Sequence, residues 1–544
     1  MKKTVADFIL HNALVWTADD ALPAAHAVAV AGGRILAVGS SKEILDGYES
    51  AVTTDLKGRR LLPGLHDSHM HLLFTGHFLQ RTNLIGCRSI DEMIERFRAR
   101  GEDKEPIIGR GFLQDNFAEK RMPTRHDLDK VSQEQPVLAI RGCGHVVVAN
   151  SKLLEMAGVK KGFGQVDGGE IGYDKDGEPN GFLAETAMAL VWSVLPVPTL
   201  EATQNAVVNA ARELIRVGIT TAHSDDFVNS DWDKTYSAYL AAAKAGDLPL
   251  RVNHQLRFDK PQDVANFVEW RAGKDKEKSP HLTPENFAYG PIKLMCDGSL
   301  GGRTAALNEP YSDDPGNYGV QILSRAQMVA IFKEAHKAGY QLCGHAIGDK
   351  TITDIIEAFA EVIPAEDLPK ARPRVIHAQV TTEKIFKRMK ELHVHCDIQP
   401  AFVPSDSPFL VSRLGEERAA ASYAWKTMRD MGISSSAGSD SPVEHFCPFY
   451  GIYCAVTRAS ADGHPAEGWN PKERLTIEES LRAYTVDAAY AAHLEKSSGR
   501  IAPGLFADFI LLDRDILNIP HEEIKDIKVL AAWVDGKRIF GENL

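Results

Sequence analysis

The chain has 544 residues, 44% of them apolar and 25% charged, with a formal net charge of −12. That composition can bury a large core, while the acidic balance and the lack of any Lys/Arg-rich block exclude the basic face of a nucleic-acid reader. No run of about eighteen uncharged apolar residues occurs, which excludes a membrane-spanning helix.

The opening MKKTVADFILHNALVW places two lysines before an apolar stretch, but Asp7, His11 and Asn12 interrupt it and no small-residue cleavage site follows. It reads as strand, not as a signal peptide. ADFIL occurs at 6–10 and again at 507–511, and HAVAVAGGRILAVG alternates around Gly32-Gly33 as a hairpin does. Both ends are therefore expected to meet in one small β-domain, residues 1–60 and 491–544, although five repeated residues also arise by chance.

Residues 61–490 alternate β-rich segments with amphipathic helical ones, the mark of a parallel sheet. The candidate strands are LLPGLHDSHMH, GITTAHSD, PLRVNHQLR, GPIKLMCDG, YQLCGHAIG, PRVIHAQV, HVHCDIQP and ISSSAGSDS. Eight is the number that closes a (β/α)₈ TIM-like barrel. The interval from about 72 to 205 is too long for one βα connection and holds Gly-rich turns and short strands of its own. It is expected to be a subdomain inserted after strand 1, where substrate contacts commonly sit. The seven cysteines, an odd number without a CxxC pair, suit a reducing cytoplasm.

His69 and His71 stand two apart at the end of the first candidate strand, and so share a face. His345 and His377 lie near the ends of the fifth and sixth, Asp440 at the end of the eighth, and Lys293 within the fourth. Imidazole and carboxylate suit Zn²⁺ and other borderline divalent ions. A buried lysine is the odd member, because ammonium repels cations, but as a free amine it can capture carbon dioxide as a carbamate that bridges two metals. Taken singly, each residue has a plainer reading: the histidines as hydrogen-bonded core groups, Asp440 as a turn or cap, Lys293 snorkelling to water. The plainer account needs all six to fall at strand ends by accident.

The order HxH, Lys, His, His, Asp resembles the amidohydrolase superfamily. The segments LPGLHDSHMH, IKLMCDGSLGGRTAALNEPYSDDPGNYG, GHAIGDKTI, RVIHAQV, AGSDSPVEHFCPF and SGRIAPGLFADFILLD resemble its YtcJ-like branch, best known for N-substituted formamide deformylase activity. The resemblance implies a β-sandwich built from both termini and two Zn²⁺ ions per chain. His69 and His71 would hold one ion, His345 and His377 the other, and carboxylated Lys293 would bridge them. Asp440 would bind the first ion and act as general base and then acid in cleaving a C–N bond of a small amide. His145, in GCGHVVVAN, would donate to the substrate carbonyl or oxyanion. Arg303 would pair with a substrate carboxylate or order its own loop. Where relatives carry Gly-Trp-Asp, this chain has Gly111-Phe112-Leu113-Gln114-Asp115. Cys343 reads as a small buried apolar group, and Glu185 as a less suitable bridge than Lys293. A lactonase or esterase could use the same ligands. A mononuclear deaminase usually carries HxxE, where this chain has Ala346-Ile347-Gly348 after His345. A binding protein on a decayed scaffold would be expected to have lost a ligand. A small-molecule substrate, no nucleic-acid or membrane partner, a cytoplasmic location and a homo-oligomer complete the expectations.

Overall fold

The computed structural model describes residues 3–99, 106–142, 144, 146–166, 169–228, 231–277 and 279–541. Eight parallel strands form one sheet in sequence order: β1 (Leu65–Met70), β2 (Ile219–Val228), β3 (Arg251–Arg257), β4 (Phe287–Met295), β5 (Leu342–Ala346), β6 (Arg374–His377), β7 (His395–Ile398) and β8 (Ser435–Ala437). The Asp440 N–H donates to the His69 carbonyl at 2.7 Å and the His71 N–H to the Ser441 carbonyl at 2.8 Å, drawing the first and last strands together. The architecture is an α/β TIM-like barrel. Apart from the first half of β4, its strands are buried along almost their whole length, as helices on the outside and packed side chains on the inside require. Local sequence marks the helices: Ser324 and Gln327 form a capping box at Arg325–Lys337, and Gly246 ends Trp232–Ala245 in the left-handed region at φ 75°.

All eight candidate strands are present, with one correction to the first. LLPGLHDSHMH is not a single strand: Arg60–Pro63 belongs to another sheet, and the chain crosses into the barrel at Gly64. A Cβ at Gly64 would stand 2.2 Å from Thr220 Oγ1, so the crossing needs glycine.

Strands near the two termini form three further sheets, the smallest of them a parallel pair of Thr4–Val5 and Tyr48–Glu49. Phe8–His11 lies in a four-stranded sheet with Ala27–Ala31, Arg34–Gly39 and Thr53–Asp55. Phe509–Leu512 lies in a six-stranded sheet, antiparallel to Arg60–Pro63 with Leu511 opposite Leu61. The two ADFIL copies thus occupy different sheets, yet Leu10 and Leu511 share one apolar cluster with Val15, Val28 and Trp533. Gly32 and Gly33, at φ 58° and 75°, make the two-residue turn that pairs Ala31 with Arg34.

The chain divides into two compact units, 75–206 and the remainder. Within 75–206 a six-stranded mixed sheet carries apolar clusters on both faces. Val137 and Ala139 point into one and Leu138 and Ile140 into the other, the alternation a strand imposes. Among the described residues no helix is long and apolar enough to cross a membrane, and the six described cysteines are free thiols.

Candidate metal centre

The C-terminal ends of the strands gather the polar residues singled out in the sequence. β1 carries His69, with His71 just beyond it; Lys293 lies in β4, His345 in β5, and His377 ends β6. Asp440 follows β8 in the left-handed region at φ 56°. One ligand atom each from His69, His377 and Asp440 falls within 4.8 Å of the others. The remaining three residues adjoin this group. His71 Nε2 and His69 Nε2 stand 3.3 and 3.2 Å from Asp440 Oδ1, Lys293 Nζ 3.2 Å from His69 Nε2, and the His345 ring centroid 4.5 Å from that of His377.

The hydrogen bonds on the far side of each imidazole fix which nitrogen is bare. Gln255 Nε2 donates to the Ser68 carbonyl at 3.1 Å, so its Oε1 accepts from His69 Nδ1 at 2.6 Å. Gln399 repeats the device, donating to the Asp397 carbonyl at 3.0 Å and accepting from His377 Nδ1 at 2.8 Å. His71 Nδ1 faces the Asp225 carbonyl at 3.1 Å, and His345 Nε2 faces the Gly298 carbonyl at 3.0 Å. A carbonyl can only accept, so each of these nitrogens carries the ring proton. In the neutral rings the lone pairs left over are Nε2 of His69, His71 and His377 and Nδ1 of His345. Two of these lie 3.2 and 3.3 Å from a carboxylate oxygen, an arrangement of acceptors that calls for a cation.

The electrostatics agree. Burial holds His69 down to about 4, with Lys293 adding to the effect and Asp440 opposing it. Burial and His345 hold His377 well below the ordinary histidine value, so both rings are neutral at pH 7. His71 moves the other way: burial lowers it, but Asp440 and Asp225 outweigh burial and raise it. Burial opposes ionisation of Asp440, yet the His69 and His71 contacts hold it well below the carboxylate range. An extra proton on His71 and a bound metal ion would therefore compete for one lone pair.

Lys293 is buried and donates to Asp225 Oδ2 at 2.8 Å. Burial disfavours the Asp225 anion, but Lys293, His71 and Arg257 more than offset it and hold the carboxyl far below its usual range. The other sequence candidates fall outside this group or outside the described residues. Arg303 is fastened to Asp313 by two hydrogen bonds, both 3.0 Å, a geometry that orders its own loop. His145 lies outside the described residues. Glu185 ends a strand of the 75–206 unit, Pro179–Glu185. Cys343 is a fully buried thiol that burial pushes up to about 12, so it packs as an apolar group.

The sequence reading passed over Asp225, Gln255, Asp297 and Gln399. Asp297 accepts from the N–H groups of Ala306, Ile347 and Gly348 at 3.0, 3.1 and 2.9 Å, tying the loop after β4 to the loop after β5. Their signal was a polar residue at the rim end of a strand otherwise fit for burial, as in TTAHSDD and HCDIQP.

The chain is similar to known proteins along almost its whole length. The amidohydrolase family model matches residues 52–540. The Bacillus subtilis (strain 168) protein named "Putative amidohydrolase YtcJ" is 31% identical over 541 residues, spanning 98% of this chain and 99% of that one. N-substituted formamide deformylase of Arthrobacter pascens is 26% identical over 550 residues, 97% of each chain. An uncharacterized metal-dependent hydrolase from Pyrococcus furiosus superposes with a TM-score of 0.76 at 28% identity, covering 94% of this chain and all of that one. With these likenesses running almost end to end, the chain belongs to the amidohydrolase family, in its YtcJ-like branch.

Proposed function

We propose that this chain hydrolyses a C–N bond, other than a peptide bond, in a small amide. N-substituted formamides are the first class to try, because the relative named for that activity aligns over nearly its whole length. The observation that carries the reading is the set of four imidazoles, each with one N–H committed to an oxygen, whose bare nitrogens accompany the ionised Asp440.

His69, His71 and Asp440 would hold one ion and His345 and His377 a second. Lys293, as its carbamate, would bridge them. Carboxylation joins Nζ, as the free amine, to carbon dioxide with loss of one proton (two from the ammonium), and the one N–H that remains can still donate to Asp225. Bound divalent ions, with zinc suited to this ligand set, would supply hydroxide at neutral pH and polarise the substrate carbonyl. Asp440 takes the proton released as water attacks and returns it to the departing nitrogen, which could not leave as an amide anion. The Lys293–Asp225 pair at 2.8 Å favours a second reading, a single-ion site in which Lys293 stays an ammonium.

Plasma mass spectrometry on protein expressed with zinc and bicarbonate separates the two. About two ions per chain, falling sharply in Lys293→Ala, is the expected result for the bridged centre. About one ion, unaffected by the substitution, would leave only the single-ion reading. Hydrolysis of an N-substituted amide panel, lost in Asp440→Asn, tests the reaction itself.

A further inference from the structure

Resting on that reading of the site, we propose that Arg257 is a binding residue for an anionic group of the substrate, so that the natural substrate is an amide that also carries a carboxylate. Arg257 is the last residue of β3 and stands in register with Lys293 on β4, which puts it on the rim that holds the metal ligands. Its side chain is about one-quarter exposed (24%). Its one ionic neighbour among the described residues is Asp225 Oδ2, at 3.8 Å from Nη1, too far for a hydrogen bond. That same oxygen already accepts from Lys293 Nζ at 2.8 Å. Asp225 Oδ2 thus takes its hydrogen bond from Lys293 Nζ, and the donors of Arg257 are not spent on it.

The neighbouring groups leave it so. Asp226 is occupied elsewhere, accepting from Ser224 Oγ at 2.8 Å, Tyr239 Oη at 2.5 Å and the Leu73 N–H at 3.0 Å. Arg303, the arginine singled out in the sequence for a carboxylate, is saturated by Asp313, which also accepts from Arg413. A guanidinium with its fork of donors unspent, partly exposed and one ion pair from the reacting centre, matches the planar carboxylate better than any neutral group.

The test uses the full chain loaded with zinc, as wild type, Arg257→Gln and Arg257→Lys. The probes are N-formylglycine, N-formyl-β-alanine and 4-(formylamino)butyrate, each beside its neutral primary amide, with binding read by titration calorimetry. At least one acid should bind the wild type about 10- to 100-fold tighter than its amide, the range expected of a charged hydrogen-bonded pair. Arg257→Gln should erase that preference, Arg257→Lys should keep part of it, and metal content should stay unchanged in both. No preference in the wild type would overturn the inference. So would a preference that survives in Arg257→Gln, which assigns the acid to the metal, or a loss of metal in that variant, which assigns Arg257 to holding Asp225. Hydrolysis of the same probes is scored separately. A carboxylate preference without turnover speaks against the proposed reaction alone, and turnover of acids and amides alike speaks against the anion site alone.

Discussion

Replacing Gln255 by leucine tests the claim that hydrogen bonds behind the histidines decide which nitrogen meets the metal. The Gln255 amide accepts from His69 Nδ1 at 2.6 Å and donates to the Ser68 carbonyl at 3.1 Å, so its orientation is fixed at both ends. In Gln255→Leu the Ser68 carbonyl keeps a donor, because Arg374 Nη2 also reaches it at 3.0 Å. His69 loses its only acceptor on that side, and its ring proton is free to move to Nε2, where it blocks the lone pair. Loss of such a partner lowers metal affinity about 10- to 100-fold, or about 1.4–2.8 kcal/mol, while the lost hydrogen bond costs about 1 kcal/mol of stability. Competition against a chelator of known affinity measures the first quantity and urea unfolding the second. Gln255→Glu retains the acceptor and should bind metal at least as tightly as the wild type. A folded Gln255→Leu protein whose metal affinity stays within about twofold of wild type would refute the reasoning.

Below the rim, Arg374 and Asp397 are both fully buried and joined by two hydrogen bonds of 2.9 Å. Arg374→Leu should therefore cost about 3–5 kcal/mol in urea unfolding, most of it recovered by adding Asp397→Leu, and a loss under about 1 kcal/mol would count against this. Asp406, half-buried against the Tyr423 hydroxyl, is raised by burial to about 6, the hydroxyl bond opposing. The folded state thus binds the extra proton between the unfolded value near 4 and about 6, and stability falls as pH rises through that window. Asp406→Asn should then gain about 1–2 kcal/mol at pH 7.5 and nothing at pH 4, as read by unfolding at the two pH values. Chelation should lower the melting temperature, with about 2.7 kcal/mol of stabilisation at a metal concentration one hundred times Kd. Metal affinity should weaken as pH falls through the raised His71 value, because the proton and the ion share a lone pair.

What the sequence discloses and what it hides divide along a physical line. A parallel barrel writes its strands as buried runs that end in polar rim residues, and His69, His345, His377 and Asp440 could be placed from that pattern alone. The break at Gly64 could not, because its cause is the Thr220 side chain, far away in sequence. The same holds for Arg303 and Arg257. Arg303 sits in a Gly-rich loop that looks like a binding segment, while Arg257 ends an ordinary strand. Only the partners tell them apart: Asp313 holds Arg303, while among the described residues Arg257 has none within hydrogen-bond reach. Gln255 and Gln399 show in the sequence only as polar residues at strand ends, and their role emerges once the two amide atoms are seen to point at different acceptor and donor groups.

The ligands and the closure of the barrel are one piece of structure, which explains why this rim tolerates so much local disadvantage. His377 and Asp440 hold left-handed backbone at φ 81° and 56°, conformations that cost a side-chain-bearing residue about 1–3 kcal/mol each. Asp440 is held there by its own N–H on the His69 carbonyl, and His71 by its N–H on the Ser441 carbonyl. Between these bonds the Asp67 carboxylate accepts from the N–H groups of His69 and Ser439 at 3.2 and 3.0 Å. A Cβ on Gly438 would lie 2.6 Å from the His69 nitrogen, so even one methyl group would part the two edges. The bonds that bring β1 and β8 together thus set His69, His71 and Asp440 at their mutual distances. The strain at Asp440 cannot relax without opening the sheet, and the sheet cannot close without bringing these three side chains together.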